Sequence, residues 1–266
     1  MTFTNKKKLL LGSHRGLTTQ NNQPHPANTI ASFEAEAQSH ADYIECDCIM
    51  TKDNKLLLFH DPIISNHPVT EQYIESLQKH HPSLESLDQL LTTFVPNSQS
   101  VLSQKGLCLE LKFYETTQSR KKIFAKKTLE YLDKYKLQDQ TVIVSFDPEI
   151  LSYIYDLNPN YALGLNLILD PQYQETHKLP KPSLSEPIIE KLSYCCPHIN
   201  NYDHPKLPKL PKLIWESKNE NLIYQTLKKI QKTESIKQWS INHNISGITT
   251  NSVQEIAKLL PHISQD

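Results

Sequence analysis

Near its N-terminus the chain carries a strand–helix–strand pattern, which decides the fold class. Residues 8–13 read KLLLGS, residues 29–39 read TIASFEAEAQS and residues 42–48 read DYIECDC. The first and third stretches are strand-like runs, whereas the middle one has the spacing of an amphipathic helix that Asn28 or Thr29 can cap. Two strands joined through a helix pair in parallel within one sheet, so this stretch predicts an α/β fold.

The same alternation of strand and helix continues along the sequence. The candidate helices are Thr29–Ser39, Ser119–Tyr135, Glu149–Leu157, Leu184–Leu192, Asn221–Thr233 and Ser252–Leu260. The candidate strands are Lys8–Ser13, Asp42–Cys48, Leu107–Phe113, Thr141–Phe146, Ala162–Ile168, Ser193–Ile199, Lys212–Trp215 and Ser246–Thr250. Eight strands that alternate with helices over roughly 250 residues predict a closed (β/α)8 TIM barrel. We therefore expect a single domain over residues 1–266.

The composition is that of a globular protein without an electrostatic bias. Hydrophobic residues make up 38% of the chain, and 28 Lys and Arg residues oppose 29 Asp and Glu residues, which leaves a net charge of −1. This balance gives no overall attraction to nucleic acid, so we expect no nucleic-acid partner. The five cysteines form no CxxC pair, and no apolar run approaches the ~18 residues of a membrane span. We therefore expect a reduced, cytoplasmic protein without a transmembrane segment.

One stretch departs from the alternation. Asp42–Met50 is followed by only four polar residues before a second apolar run, Lys55–Phe59, which leaves no room for a helix. The two runs predict an antiparallel hairpin that turns at Asp53-Asn54 and places His60 opposite Asp47.

Two longer segments lie outside the regular repeat. Residues 61–106 form an insertion after the second-strand hairpin. Residues 198–211 are rich in proline, which predicts a rigid extended loop between two barrel strands.

Two pairs of charged residues lie at alternate positions of neighbouring candidate strands. Glu45 and Asp47 are two residues apart, as are Glu110 and Lys112, so both members of each pair point to one face of a strand. Charged groups in such apolar runs cost free energy unless they are paired or bind a metal. Three carboxylates favour a hard cation, Mg²⁺ or Ca²⁺, over zinc. A salt bridge between Lys112 and a glutamate, beside a solvated hairpin, is the alternative.

Further ionisable residues follow at the ends of two strands. His14 and Arg15 end the first strand and His60 ends the hairpin strand, where the C-terminal face of a barrel begins. Because histidine titrates near neutral pH, two histidines can act as base and acid in one cycle, while Arg15 and Lys112 supply positive charge. Taken singly, a histidine at a strand end is more typical of a surface residue. The whole set fits an anionic substrate with a labile bond, and phosphodiester cleavage meets both requirements.

Short motifs containing these residues follow one another along nearly the whole chain. In order they are His14-Arg15-Gly16, Pro26-Ala27-Asn28-Thr29, Glu45-Cys46-Asp47, Phe59-His60-Asp61-Pro62, Pro82-Ser83-Leu84-Glu85, Glu110-Leu111-Lys112, Ser145-Phe146, Trp215 and Gly247-Ile248-Thr249-Thr250. Together they resemble the glycerophosphodiester phosphodiesterase family. The resemblance implies a TIM barrel with a small insertion after the second strand. It also implies metal-dependent hydrolysis of a small-molecule glycerophosphodiester to glycerol 3-phosphate and an alcohol.

The resemblance further implies a role for each candidate residue. The acid–base pair would be His14 and His60. The ligands of the divalent cation, Mg²⁺ or Ca²⁺, would be Glu45, Asp47 and Glu110. The residues that contact the substrate would be Arg15 and Lys112 at the phosphate, with Phe146 and Trp215 lining the pocket.

Two positions depart from the family's pattern. Ala27 stands where the family motif has Glu, and Ser246 stands where the final motif usually has Asp. These changes bear on substrate preference and rate more than on reaction class. A phospholipase D-like or lysophospholipase D-like enzyme on the same barrel and a catalytically silent binding barrel are the alternatives. The seven ionisable site residues are all retained, which argues against the silent barrel.

Overall fold

Eight parallel strands close into a barrel in the computed structural model, which describes residues 8–17, 19–20, 23–96, 98–114, 117–176, 184, 186–217 and 221–260. The strands are β1 (Leu10–His14), β2 (Tyr43–Met50), β3 (Gly106–Leu111), β4 (Thr141–Ser145), β5 (Ala162–Leu167), β6 (Tyr194–Pro197), β7 (Lys212–Trp215) and β8 (Ile245–Thr250). Each strand pairs with the next, and β1 also pairs with β8, which closes the ring. The TIM barrel that the sequence predicts is confirmed.

Helices connect the strands. They are α1 (Ile30–Ala37), α2 (Ile74–His80), α3 (Leu87–Phe94), α4 (Gln118–Lys134), α5 (Pro148–Leu157), α6 (Pro171–Thr176), α7 (Glu186–Ile189), α8 (Leu222–Ile230), α9 (Ile236–Asn242) and α10 (Val253–Leu259). Short 3-10 turns lie at Val69–Glu71, Val101–Gln104, Gln138–Gln140 and Ile199–Asn201. The predicted helix over 184–192 falls partly outside the described residues, and the sequence did not indicate α2, α3, α6 or α9. None of the described helices has the length and apolar character that a bilayer span requires.

The barrel strands alternate between an interior face and a helix-covered face. Leu10, Tyr43 and Val144 pack together inside the barrel, whereas Cys46 and Cys48 belong to the larger core between strands and helices. Successive side chains of a strand point to opposite faces. The acidic residues of β2 therefore point into the barrel, as their spacing predicts.

The hairpin after β2 forms, but its predicted register is wrong by one residue. The strand Leu56–Leu58 runs antiparallel to β2 and pairs Leu58 with Cys48. The Phe59 amide donates to the Asp47 carbonyl oxygen at 3.1 Å, so Phe59 occupies the position that the sequence assigned to His60.

The cause of the slip is a turn of three residues instead of two. The Thr51 amide donates to the Lys55 carbonyl oxygen at 2.9 Å, which leaves residues 52–54 in the turn. Asn54 takes a left-handed φ of 57°, a conformation that asparagine tolerates better than most residues. The Thr51 hydroxyl also bonds the Asp53 carboxylate at 2.7 Å, so polar side chains in the turn stabilise the longer loop.

The two irregular segments behave differently. Between the hairpin and β3, Ile63–Ile64 and His67–Pro68 form a short ladder, followed by α2 and by α3, which buries Leu87, Leu90, Leu91 and Phe94. Another short ladder joins Thr19–Gln20 to Gln23–Pro24 after β1. Residues 198–211 contain the 3-10 turn Ile199–Asn201 and then two further turns, in which the His204 amide donates to the Asn201 carbonyl oxygen at 3.1 Å and the Leu207 amide to the His204 carbonyl oxygen at 3.0 Å. The segment before β7 is thus more turned than the extended loop that its proline content predicts.

Gly12 lies where the barrel interior has no room for a side chain. A Cβ atom at Gly12 would lie 2.1 Å from the ring of Tyr43, which is buried and bonded through its hydroxyl to Thr249. We expect Gly12→Ala to lower the free energy of unfolding, measured by urea denaturation, by about 1–3 kcal/mol, because overpacking displaces neighbouring side chains. The double variant with Tyr43→Leu should lose less than the sum of the single variants. Full additivity would contradict the overlap.

Candidate active site

The C-terminal ends of the strands surround a cavity of about 600 Å³. The predicted site residues that line it are His14, Arg15, Glu45, His60, Glu110, Lys112, Phe146 and Trp215. The remaining one, Asp47, is fully buried next to Arg15 and Lys112. Residues at the ends of five strands and of the hairpin are thus brought to one place, because the C-terminal ends of parallel strands meet at one face of a barrel.

The three acidic residues come together at one end of the cavity. The carboxylate oxygens of Glu45, Asp47 and Glu110 lie within 4.8 Å of one another. The register between β2 and β3 pairs Asp47 directly with Glu110, and Glu45 lies two residues earlier on the same face of β2. Strand spacing and register therefore explain the cluster without any contribution from loops.

Two cations balance this buried negative charge. Arg15 Nε lies 2.8 Å from Asp47 Oδ2, and Lys112 Nζ lies 3.3 Å from Asp47 Oδ1 and 2.6 Å from Glu110 Oε1. Burial alone would raise the pKa of Asp47, but Lys112 and Arg15 outweigh it and hold that pKa well below its usual range. Asp47 is therefore ionised, and it fixes the positions of both cationic groups.

Asn28 also holds Asp47, a role that the sequence did not indicate. Its side-chain amide donates to Asp47 Oδ2 at 2.8 Å, and its Oδ1 accepts from the Asp47 backbone amide at 3.0 Å. Thr29, not Asn28, caps helix α1. Asn28 takes a left-handed φ of 61°, and its backbone amide donates to the Arg15 carbonyl oxygen at 3.1 Å, which fastens the loop before α1 to the end of β1.

Glu45 differs from Asp47 and Glu110 because no described lysine or arginine side chain forms an ion pair with it. Burial, together with the charges of Asp47 and Glu110, raises the pKa of Glu45 well above its usual value. Its Oε1 is buried and has no hydrogen-bond partner among the described residues. Buried acceptors are normally paired, so this oxygen is suited to receive an ion.

The donor set determines which kind of ion would fit. Carboxylate oxygens alone, with no histidine or cysteine among them, suit a hard divalent cation such as Mg²⁺ or Ca²⁺. A cation would also offset the repulsion between Glu45 and its acidic neighbours. The residues present therefore fit the metal that the sequence predicts.

His14 is buried at the rim of the acidic cluster. Its Nδ1 lies 2.9 Å from Oδ1 of Asn251, and its Nε2 lies 3.9 Å from Glu45 Oε2. Burial, reinforced by the charge of Arg15, lowers the pKa of His14 to about 3. The imidazole is thus neutral and has Asn251 as its partner, a residue that the sequence motifs did not single out.

His60 faces the same cavity despite the slip of the hairpin register. Its Nδ1 lies 2.6 Å from Asp61 Oδ1, and the hydroxyl of Tyr114 donates to its backbone carbonyl oxygen. Burial lowers the pKa of His60, while the charge of Asp47 opposes that shift. About a third of the His60 side chain is exposed, so this imidazole can exchange protons with solvent more readily than His14.

The side of the cavity lined from β4 to β8 carries no charged group among the described residues. Phe146 and Trp215 meet edge to face, with ring centroids 5.6 Å apart, and Trp215 Nε1 donates to the Cys196 carbonyl oxygen at 2.9 Å. Val144 and Ile168 line the same wall. The cavity therefore has a charged end and an uncharged end.

The two departures from the family motifs occupy different environments. Ala27 lines the cavity near Arg15, so the missing carboxylate would have faced the substrate space. Ser246 lies on β8 and is partly exposed, and it is not among the described residues that line the cavity.

Known proteins resemble this chain in sequence and in fold. Residues 14–226 match the Glycerophosphoryl diester phosphodiesterase family. A glycerophosphodiester phosphodiesterase of Bacillus subtilis (strain 168) is 27% identical over 175 residues, which cover 58% of this chain and 57% of that protein.

Two solved structures have the same barrel. A glycerophosphodiester phosphodiesterase from Parabacteroides distasonis ATCC 8503 has a TM-score of 0.71 at 19% identity and covers 97% of this chain and 99% of its own. An Oleispira antarctica phosphodiesterase, solved in complex with the product sn-glycerol-3-phosphate, has a TM-score of 0.63 at 17% identity and covers 96% of this chain and 97% of its own.

The raised pKa of Glu45 makes the stability of the metal-free protein depend on pH. The folded protein keeps this carboxyl protonated to a higher pH than the unfolded chain does, so the free energy of unfolding falls as the pH rises above 4.5. We expect Glu45→Gln, which cannot ionise, to be more stable than the wild type at pH 8, with the difference shrinking toward about pH 4. Urea denaturation in the presence of a chelator measures both.

The control is Glu75→Gln on helix α2, where the carboxylate is exposed. This variant should follow the wild type at both pH values. A difference between Glu45→Gln and the wild type that does not change with pH would contradict the raised pKa.

Proposed function

Because the chain belongs to the glycerophosphoryl diester phosphodiesterase family, we propose that it hydrolyses glycerophosphodiesters to glycerol 3-phosphate and an alcohol with a bound divalent cation. One observation carries this proposal. Three carboxylates, two imidazoles and two cationic side chains meet at one end of one cavity. Cations hold a phosphoryl group, and two imidazoles move the protons that cleavage of a phosphodiester requires.

Arg15 and Lys112 are placed to receive the negative charge of the phosphodiester. Both line the cavity. Although burial opposes it, the carboxylates of Glu110 and Asp47 raise the pKa of Lys112, so its charge persists at neutral pH. Because Asp47 holds both head groups before any ligand arrives, little reorganisation accompanies substrate binding.

Glu45, Asp47 and Glu110 would hold the divalent cation, Mg²⁺ or Ca²⁺. A bound cation supplies Lewis-acid polarisation of a phosphoryl oxygen and stabilises the charge that develops there. Glu45 has the free oxygen for this purpose, and the ion pairs of Asp47 and Glu110 keep their carboxylates aligned with it.

The histidine pair performs the proton transfers. One imidazole accepts the proton of the glycerol hydroxyl beside the phosphate, and that oxygen forms a bond to phosphorus while the bond to the alcohol oxygen breaks. The alcohol leaves with a proton from the other imidazole. The product of this first stage is a cyclic phosphate. Water then gives a proton to the second imidazole and attacks phosphorus, and the glycerol oxygen that attacked earlier leaves with the proton held by the first imidazole. Both histidines thus return to their starting states.

The uncharged side of the cavity receives the substituent of the phosphodiester. On this side, strands β4 to β8 and the residues directly after them contribute no charged group to the described lining. Asn166 and Thr249 are among the polar residues there. A small polar alcohol fits beside these groups within about 600 Å³. An acyl chain would need further apolar surface beyond this cavity, so we favour glycerophosphodiesters over lysophospholipids.

The proposal is tested by following glycerophosphocholine with ³¹P NMR in the presence of Mg²⁺ or Ca²⁺. Formation of glycerol 3-phosphate, directly or through a cyclic phosphate, is the expected result. A parallel reaction with lysophosphatidylcholine tests the phospholipase D-like alternative. Absence of turnover with either substrate and either metal would contradict the proposed activity.

The histidine pair should control kcat. We expect His14→Ala and His60→Ala each to lower kcat by about 10²–10⁴-fold, the usual contribution of general acid–base catalysis. The double variant should lose far less than the product of the two single losses, because the residues act in one cycle. Steady-state kinetics measures these values, and His80→Ala, at an exposed position on α2, is the control. A wild-type kcat in His60→Ala would remove His60 from the mechanism.

The carboxylates should control metal affinity. At a hundredfold excess of metal over its dissociation constant, binding adds about 2.7 kcal/mol to the free energy of unfolding. We expect Mg²⁺ or Ca²⁺ to stabilise the wild type by such an amount in urea denaturation and to stabilise Glu45→Gln, Asp47→Asn and Glu110→Gln far less. Glu36→Gln changes a buried carboxyl on α1, outside the cavity, and should keep the wild-type response. Equal stabilisation of all variants would place the metal elsewhere.

A further inference from the structure

The side chain of Asn251 contacts His14 where the barrel closes. Asn251 follows β8 directly, and its Oδ1 lies 2.9 Å from His14 Nδ1 although 237 positions separate the two residues. The contact crosses the seam at which β1 pairs with β8. It determines the surroundings of one of the two imidazoles in the cavity.

The orientation of the Asn251 amide group is fixed by its other partner. Asn251 Nδ2 donates to the carbonyl oxygen of Ser217 at 2.9 Å. A carbonyl oxygen only accepts hydrogen bonds, so the NH₂ end of the amide faces Ser217 and the oxygen end faces His14. Because an amide oxygen also only accepts, the hydrogen of this contact belongs to Nδ1 of His14.

Glu216 fixes the backbone that carries Asn251. Glu216 is fully buried, and its Oε1 accepts from the Thr250 hydroxyl at 2.6 Å and from the Asn251 amide at 3.4 Å. Its Oε2 accepts from the Ile223 amide at 2.9 Å, at the start of α8. Through these hydrogen bonds the buried carboxylate connects the ends of β7 and β8 to the start of α8. The backbone of Asn251 is therefore held in place by regular secondary structure on both sides.

We propose that Asn251 is a positioning residue that holds His14 in the tautomer with hydrogen on Nδ1, so that Nε2 enters the reaction as a proton acceptor. A neutral imidazole has one N–H group, so the hydrogen on Nδ1 leaves Nε2 unprotonated. Nε2 lies 3.9 Å from Glu45 Oε2, beyond hydrogen-bond distance, and within the described part of the chain no hydrogen bond to Nε2 is formed.

This tautomer determines which histidine is the base and which is the acid. That assignment of roles rests on the proposed function. His14 Nε2 takes the proton of the attacking glycerol hydroxyl. His60 supplies the proton to the leaving alcohol oxygen, and its contact with the Asp61 carboxylate opposes the effect of burial, which disfavours the protonated form that this step requires. The tautomer itself is a property of the folded protein and does not depend on the substrate.

The tautomer is tested by ¹⁵N–¹H NMR of the full chain labelled with ¹⁵N-histidine, in a buffer with Mg²⁺. Signals that disappear in His14→Ala identify His14 among the 12 histidines. We expect a protonated-type Nδ1 and an unprotonated-type Nε2 for His14 in the wild type. Hydrogen on Nε2 in the wild-type spectrum would overturn the proposal, and this outcome needs no variant at position 251.

Variants at position 251 connect the tautomer to turnover. Asn251→Asp keeps an acceptor for Nδ1 but loses the hydrogen bond to Ser217, whereas Asn251→Ala removes both. We expect Asn251→Ala to populate the other tautomer and to lower kcat by about 10–100-fold, with KM within a few-fold of the wild-type value. Residues that orient a functional histidine through its other ring nitrogen commonly have effects of this size. Asn251→Asp should keep the wild-type tautomer and recover most of kcat.

The control is Asn242→Ala, which removes an exposed asparagine that bonds Glu234 and Gln238. It should match the wild type in both measurements. An unchanged tautomer in Asn251→Ala, or a wild-type kcat in that variant, would overturn the positioning role. The wild-type tautomer without hydrolysis of any glycerophosphodiester would refute the proposed function and leave the role of Asn251 intact.

Discussion

The buried carboxylate of Asp47 is the constraint on which the site depends. A charge with no exposure to water costs several kcal/mol unless it is paired, and Asp47 is paired on every side. Arg15 arrives from the end of β1, Lys112 from the end of β3 and Asn28 from the loop before α1. Satisfying this one group therefore fixes three separate segments. The two cationic side chains, the loop that carries Ala27 and the space for a cation all take their positions from it.

Most of what the sequence predicted correctly about the fold and the site came from patterns that repeat over short distances along the chain. The alternation of strands and helices is repeated often enough to identify the barrel, and a spacing of two residues places Glu45 and Asp47 on the interior face. Both patterns reflect the geometry of the backbone, which local sequence determines. The carboxylate cluster follows once β2 and β3 lie side by side. Lys112 beside Glu110 on the next strand was already a sign that the buried charge is partly compensated.

The features that the sequence did not reveal depend on turn length or on distant contacts. The hairpin register differs by one residue from the predicted register. The turn is longer than predicted because Asn54 adopts a left-handed conformation and the Thr51 hydroxyl bonds the Asp53 carboxylate. Asn28 and Asn251 are single polar residues in loops, with no periodic pattern around them. Each acquires its role from a partner brought near by the fold, so the local sequence does not reveal that role.

Closure of the barrel between β1 and β8 has a consequence for how the protein is made. All ionisable groups assigned to the chemistry lie within the first 112 residues, yet β1 has only one neighbouring strand until β8 emerges. A nascent chain on the ribosome can therefore assemble the acidic cluster long before His14 meets Asn251. Closing a loop between residues so far apart in sequence costs entropy, which slows the formation of such contacts. The contact between His14 and Asn251 thus forms only once the last barrel strand has docked against β1.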